Sequence, residues 1–140
     1  MKSDVLFTSH ATAKNGREGH VKSDDGLIDL DLTMPNSDSD KKGSNPEQLF
    51  AAAYSACYDG ALNLVASKEK KKIDSTTTAD ISFLKDSEDN GFKIAATLHI
   101  EISGVGQEEA EDLAQKAHQA CPYSKATRGN IDVTLNPKAV

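Results

Sequence analysis

In the first third of the chain, apolar and polar residues change places over short stretches broken by turn signals. Val5 to about Lys14 (Val-Leu-Phe-Thr-Ser-His-Ala-Thr-Ala) reads as a strand running into Asn15-Gly16, a pair that tolerates positive φ, and Arg17 to Lys22 reads as the return strand with Arg17 just past the hairpin tip. Ser23-Asp24-Asp25-Gly26 is a second turn, and Leu27-Ile28-Asp29-Leu30-Asp31-Leu32 alternates as a half-buried strand does. The pattern predicts a β-meander, followed by an exposed, mobile loop over Pro35 to Lys42.

The pattern then changes. From Asn45 to Ala66 the residues are apolar nearly all round, behind a helix-start signal in which Asn45 pairs with Gln48 or Ser44 with Glu47 as a capping box, and Pro46 fits the first turn. This predicts a central helix buried by the sheets around it, with Cys57 inside and the run Lys68 to Lys72 solvated at its C-terminus. Ile73 to Lys85 is rich in Thr, Ile and Phe, and Ser87 to Gly91 turns it. Phe92, Ile94, Ala96, Leu98, Ile100 and Ile102 then occupy every second position, the clearest strand of the sequence. Its polar side, with His99, should meet water, and His10 and His20 read the same way. Gln107 to Ala120 has the spacing of an amphipathic helix that stops near Cys121, because Pro122 lacks the amide donor and disfavours helical geometry before it. Ile131 to Leu135 closes the chain as an alternating strand. The order predicts an α+β fold in a single domain over residues 1–140.

Composition narrows the function more than the fold. A net charge of -6 and only two arginines, Arg17 and Arg128, argue against a nucleic-acid surface or an anionic membrane partner. No apolar run has the length of a membrane span and the N-terminus lacks a signal-peptide pattern, so a cytoplasmic protein is expected. In such a compartment Cys57 and Cys121 form no permanent staple; if they pair, the pairing belongs to a redox cycle. Either could also be an inert buried thiol. There is no Cys-x-x-Cys, no zinc-ligand spacing, no phosphate-binding glycine loop and no Gly-x-Ser-x-Gly.

The blocks Asn45-Pro46-Glu47-Gln48-Leu49-Phe50-Ala51-Ala52 into Tyr54-Ser55-Ala56-Cys57, and Cys121-Pro122-Tyr123-Ser124-Lys125-Ala126-Thr127-Arg128-Gly129-Asn130-Ile131, closely resemble the organic hydroperoxide resistance (Ohr) proteins of the OsmC superfamily. The likeness extends to His10 to Ala13 and Gly16 to Gly19. It implies an OsmC-like fold of mostly antiparallel sheets wrapped around a buried central helix in an intertwined homodimer. It further implies a thiol-dependent peroxidase that reduces alkyl and fatty-acid hydroperoxides to alcohols, has no bound cofactor or metal, and is re-reduced by a lipoyl dithiol on a partner protein. Carried onto matching positions, Cys57 attacks the peroxide, Cys121 resolves it, and Arg17, held by Glu47, serves the attack. The alternatives are an OsmC-type peroxidase of broader peroxide range and a non-catalytic binding module.

Elementary chemistry is compatible with these roles. Thiolate is the attacking form, and burial alone would keep Cys57 protonated, so a permanent cation is needed beside it; a guanidinium supplies it and a fork of donors. Arg128, beside Gly129, is expected instead to fix the loop after Cys121. Glu47 lies ten residues before Cys57, about 15 Å along a straight helix, which predicts that Glu47 reaches the site from the partner helix of a twofold pair with Ala51 to Ala53 at the crossing. Leu49, Phe50, Tyr54 and Tyr123 are candidates for an apolar mouth. Asp59, two positions past Cys57, is where an apolar residue is expected; it either faces solvent or opposes the thiolate.

Overall fold

The computed structural model describes residues 3–140, which fall into two compact units, one ending at Pro46 and one beginning at Glu47.

The first unit is a three-stranded antiparallel meander: β1 (Ala11–Lys14), β2 (His20–Ser23) and β3 (Asp29–Asp31). Lys14 pairs with His20, and His20 with Asp31. Asn15 and Gly16 both have positive φ (62° and 61°), as the turn signal requires. The connection is nevertheless longer than a two-residue turn, because Gly16–Glu18 form one 3₁₀ turn before β2 begins. Arg17 and Glu18 therefore lie in the turn rather than on a return strand. Gly19 is obligatory there, since a Cβ would fall 1.7 Å from the Lys14 carbonyl oxygen. Glu18 ties the turn down by accepting from the Met34 amide (3.1 Å) and the Thr33 hydroxyl (3.4 Å), while Lys41 Nζ donates to the Glu18 carbonyl (2.6 Å).

Two further expectations for this unit differ in the structure. The strand read from Val5 begins only at Ala11, and Val5, Leu6 and Phe7 are exposed. In the stretch from Leu27 to Leu32, only Leu32 is buried. Alternation defines which face is apolar, but burial needs a second layer against that face. His20 is partly exposed, between Asp29 Oδ1 (2.5 Å) and Asp31 Oδ1 (2.8 Å), and those two carboxylates, Asp31 foremost, raise its pKa.

The second unit consists of α1 (Pro46–Lys68), β4 (Asp74–Lys85), β5 (Phe92–Ser103), α2 (Gln107–Ala120), α3 (Pro122–Thr127) and β6 (Val133–Ala139). The sheet order is β4-β5-β6, with β4–β5 an antiparallel hairpin and β6 parallel to β5. Ala96, Leu98, Ile100 and Ile102 on the inner face of β5 meet Tyr54, Tyr58, Ala61, Leu62 and Ala66 of α1 and Ala110, Leu113, Ala114 and Ala117 of α2 in one core. Each fully buried Leu or Ile there contributes about 1.5–3 kcal/mol relative to exposure. α2 has the boundaries its periodicity predicts.

α1 starts at Pro46, but it is not covered all round in the single chain. Tyr54, Tyr58, Ala61, Leu62 and Ala66 are buried, whereas Ala52, Ala56, Gly60 and Leu64 on the far side are exposed, Leu64 to 54 %. α1, uniformly apolar in sequence, therefore packs as a one-sided helix.

Candidate active site

Cys57 sits mid-way along α1, where each turn is fixed by backbone bonds on both sides. Cys121 sits at the break between α2 and α3, where Pro122 ends one helix and opens the next. The break brings the two sulfurs together: Cys121 Sγ lies 3.4 Å from Cys57 Sγ, as free thiols. Cys121 is fully buried and Cys57 only partly so, the reverse of what a buried α1 predicts.

The short helix α3 was not legible in the sequence, and it supplies what a cysteine within a helix otherwise lacks. The first amides of a helix have no partner inside it. Pro122 has no N–H; the Tyr123 amide donates to the Cys57 sulfur and the Ser124 amide to Cys121 Sγ (3.4 Å). Burial pushes the Cys57 thiol above its ordinary pKa, the Tyr123 amide pulls it down, and the adjacent Cys121 sulfur adds to the rise. Within this unit the balance leaves Cys57 less ionised than a free thiol.

Three aromatic rings of α1 and α3 cluster together. Phe50, Tyr54 and Tyr123 have ring centroids 6.0–6.4 Å apart. Tyr54 is buried and Tyr123 is 39 % exposed, so the cluster runs from the core to the surface. Three of the four mouth candidates thus meet; Leu49 is partly buried near the start of α1. Tyr58, one position after Cys57, donates to the Ala114 carbonyl (2.6 Å), and its phenol is pushed well above the ordinary range by burial, with the Cys121 and Tyr54 sites adding to the rise.

Asp59 does not oppose the sulfur, nor is it left to solvent. Its carboxylate accepts from Ser75 Oγ (2.8 Å) and Thr77 Oγ1 (2.9 Å), pinning α1 to β4, with Asn63 bridging. Arg128 meets its expectation: Nη1 donates to the His118 carbonyl (2.6 Å), tying the segment after α3 to the end of α2. Arg17 lies in the 3₁₀ turn of the first unit, and Glu47 in the first turn of α1, ten residues before Cys57. His99 pairs with Asp80 (2.7 Å) on the exposed side of β5. Among the described residues no group of three or more His, Cys, Asp or Glu side chains is placed to hold a metal ion, and no helix is long and apolar enough to cross a membrane.

Sequence reasoning missed His118. It is half-buried at the end of α2, its Nδ1 is 2.8 Å from Ser124 Oγ, and burial followed by the Arg128 charge lowers its pKa. Ser124 Oγ is also 2.8 Å from the Tyr54 hydroxyl, which lies 3.1 Å from Thr127 Oγ1. A lone histidine in an amphipathic helix leaves no signal in the sequence.

Residues 38–136 match the family model described as OsmC-like protein. Organic hydroperoxide resistance protein OhrB of Bacillus subtilis is 50 % identical over 135 residues, covering 96 % of this chain and 99 % of that protein. The organic hydroperoxide resistance protein of Xanthomonas axonopodis pv. citri is 47 % identical, covering 94 % of each. The crystal structure of Bacillus subtilis OhrB superposes with a TM-score of 0.91 over 94 % of this chain and 98 % of that one. A Legionella pneumophila structure described as an organic hydroperoxide resistance protein, 45 % identical, gives 0.88 over 95 % and 98 %. By sequence over nearly its whole length and by fold, the chain belongs to the OsmC-like family and, within it, to the organic hydroperoxide resistance proteins.

Proposed function

We propose that this protein is a cysteine-based peroxidase that reduces organic hydroperoxides, with Cys57 as nucleophile and Cys121 as resolving thiol. The observation that carries this reading is the 3.4 Å separation of the two sulfurs beneath the first amides of α3. A disulfide needs about 2.0 Å between sulfurs, so closure asks for a small approach rather than a refolding.

The Cys57 thiolate attacks the distal oxygen of ROOH; the O–O bond breaks, and the departing alkoxide takes a proton to become ROH, leaving a sulfenic acid. The Cys121 thiol then attacks the sulfenic sulfur, forming the S–S bond as the hydroxyl leaves with the thiol proton as water. An external dithiol, of the dihydrolipoyl kind, returns both thiols by exchange and is itself oxidised to a disulfide. The ring cluster of Phe50, Tyr54 and Tyr123 offers an alkyl tail an apolar surface that hydrogen peroxide cannot use.

Burial raises the Cys57 pKa, so the attack needs a cation, and the proposal assigns that part to Arg17, oriented by Glu47. Glu47 comes from the partner of a homodimer in this reading, because along one helix it stands about 15 Å from Cys57. The exposed small residues Ala52, Ala56 and Gly60 support such a helix pairing, since they let backbones approach closely. The test is to count thiols after mixing reduced protein with cumene hydroperoxide and, separately, hydrogen peroxide. Rapid loss of both thiols with the organic substrate is expected. Retention of both would make the chain a binding module, and equal rates would favour the broader OsmC-type range.

A further inference from the structure

The four hydrogen bonds that join His118, Ser124, Tyr54 and Thr127 fix more than their distances suggest. Thr127 Oγ1 donates to the Ser124 carbonyl (3.2 Å), which uses its only proton, so towards the Tyr54 hydroxyl (3.1 Å) it accepts. Tyr54 spends its proton there and must accept from Ser124 Oγ (2.8 Å). Ser124 in turn must accept from His118, so the proton between them (2.8 Å) belongs to Nδ1. Three hydroxyl protons cannot fill four bonds; the histidine supplies the fourth.

This chain ties the three helices at the point where the sulfurs meet. Tyr54 stands three residues before Cys57 on α1, His118 three before Cys121 at the end of α2, and Ser124, whose amide donates to Cys121 Sγ, on α3. Ser124 and Thr127 are buried and His118 half-buried, so water competes weakly for these bonds.

We propose that His118 is a positioning residue for disulfide closure: its Nδ1–H, acting through Ser124 and Tyr54, keeps the Cys121 thiol against Cys57 while the sulfenic acid waits. The proposal rests on the peroxidase reading above and adds to it the step that the network serves. Closure is a reaction between two groups of one molecule, and its rate follows the fraction of time they spend in contact geometry. If the clamp loosens, Cys121 still reacts, but the sulfenic acid survives longer and meets a second hydroperoxide, giving a sulfinic acid and a second alcohol.

The experiment is rapid mixing of reduced full-length protein with cumene hydroperoxide, following Cys57 oxidation by dimedone trapping and closure by non-reducing peptide mass analysis. In H118A the ratio of closure rate to oxidation rate should fall about tenfold or more, with sulfinic acid accumulating at Cys57 under excess hydroperoxide. H118N, whose amide nitrogen takes the place of Nδ1–H, should restore the ratio. An unchanged ratio in H118A, or an H118N as slow as H118A, would overturn the proposal. If Cys57 is not oxidised even in the wild type, the peroxidase reading fails instead. Ring ¹⁵N shifts of reduced wild-type protein decide the network independently, and decide it also if H118A does not fold: a neutral His118 protonated at Nδ1 supports the clamp, and one protonated at Nε2 refutes it.

Discussion

Cys57 and Cys121 are 3.4 Å apart, yet the chain holds them in opposite ways. Cys57 is carried on the interior of a 23-residue helix and is partly open; Cys121 caps a six-residue helix and is fully buried. A nucleophile for a bulky oxidant must be reachable and cannot drift, which the middle of a long helix provides. A resolving thiol must be shielded from the oxidant yet able to advance, which a helix break behind a buried surface provides. The different settings therefore suggest different roles for two residues of one type.

Removing each sulfur in turn separates the two roles. C57S should abolish hydroperoxide consumption. C121S, given a single equivalent, should still consume it and hold Cys57 as a sulfenic acid that dimedone captures. The opposite pattern would exchange the roles.

Next in size is the cation. R17A should slow Cys57 oxidation by roughly 10²–10³-fold, the scale of losing a preorganised charged donor, and R17K should recover only part of it because an ammonium cannot fork. If Arg17 plays the proposed part, its loss leaves the upward push of burial on Cys57 unopposed by a charge. Alkylation of Cys57 should then climb about tenfold per pH unit through neutrality, whereas wild type should level off at lower pH. Bimane labelling across that range measures both.

These roles were only partly legible in the sequence. β5 and α2 were readable because one shows unbroken alternation and the other a helical period stopped by Pro122. α3 was not, since six residues are too few to show a period; its trace was Cys121 in the capping position before a proline. The meander's strand order was readable, but the late start of its first strand at Ala11 and the exposure of Leu27, Ile28 and Leu30 could not be read from a pattern that defines a face without saying what covers it. Cys57 and Cys121 stood out through family likeness; their contact, and the amides of Tyr123 and Ser124 behind it, depend on a helix that the pattern did not reveal.

Two smaller effects concern the neighbours of the sulfurs. Y58F removes the donor to the buried Ala114 carbonyl and should cost about 1–3 kcal/mol in chemical denaturation of the reduced protein. The pKa of His118 is lowered in the fold, so as pH falls below the unfolded value, about 6.5, the unfolded chain binds a proton that the folded one resists. The stability that the neutral ring contributes is present above that pH and lost below it. The Tm of wild type relative to H118N should accordingly decrease between pH 8 and pH 5.

The proposed function makes Cys57 and Cys121 one redox pair driven by organic hydroperoxide. Intact mass and peptide mapping of reduced wild-type protein after one equivalent of cumene hydroperoxide test it most directly. The expected result is loss of two thiol hydrogens, a Cys57–Cys121 cross-linked peptide, and recovery of both thiols with dihydrolipoamide. An unchanged mass, or oxidation that leaves Cys57 unmodified, would contradict it.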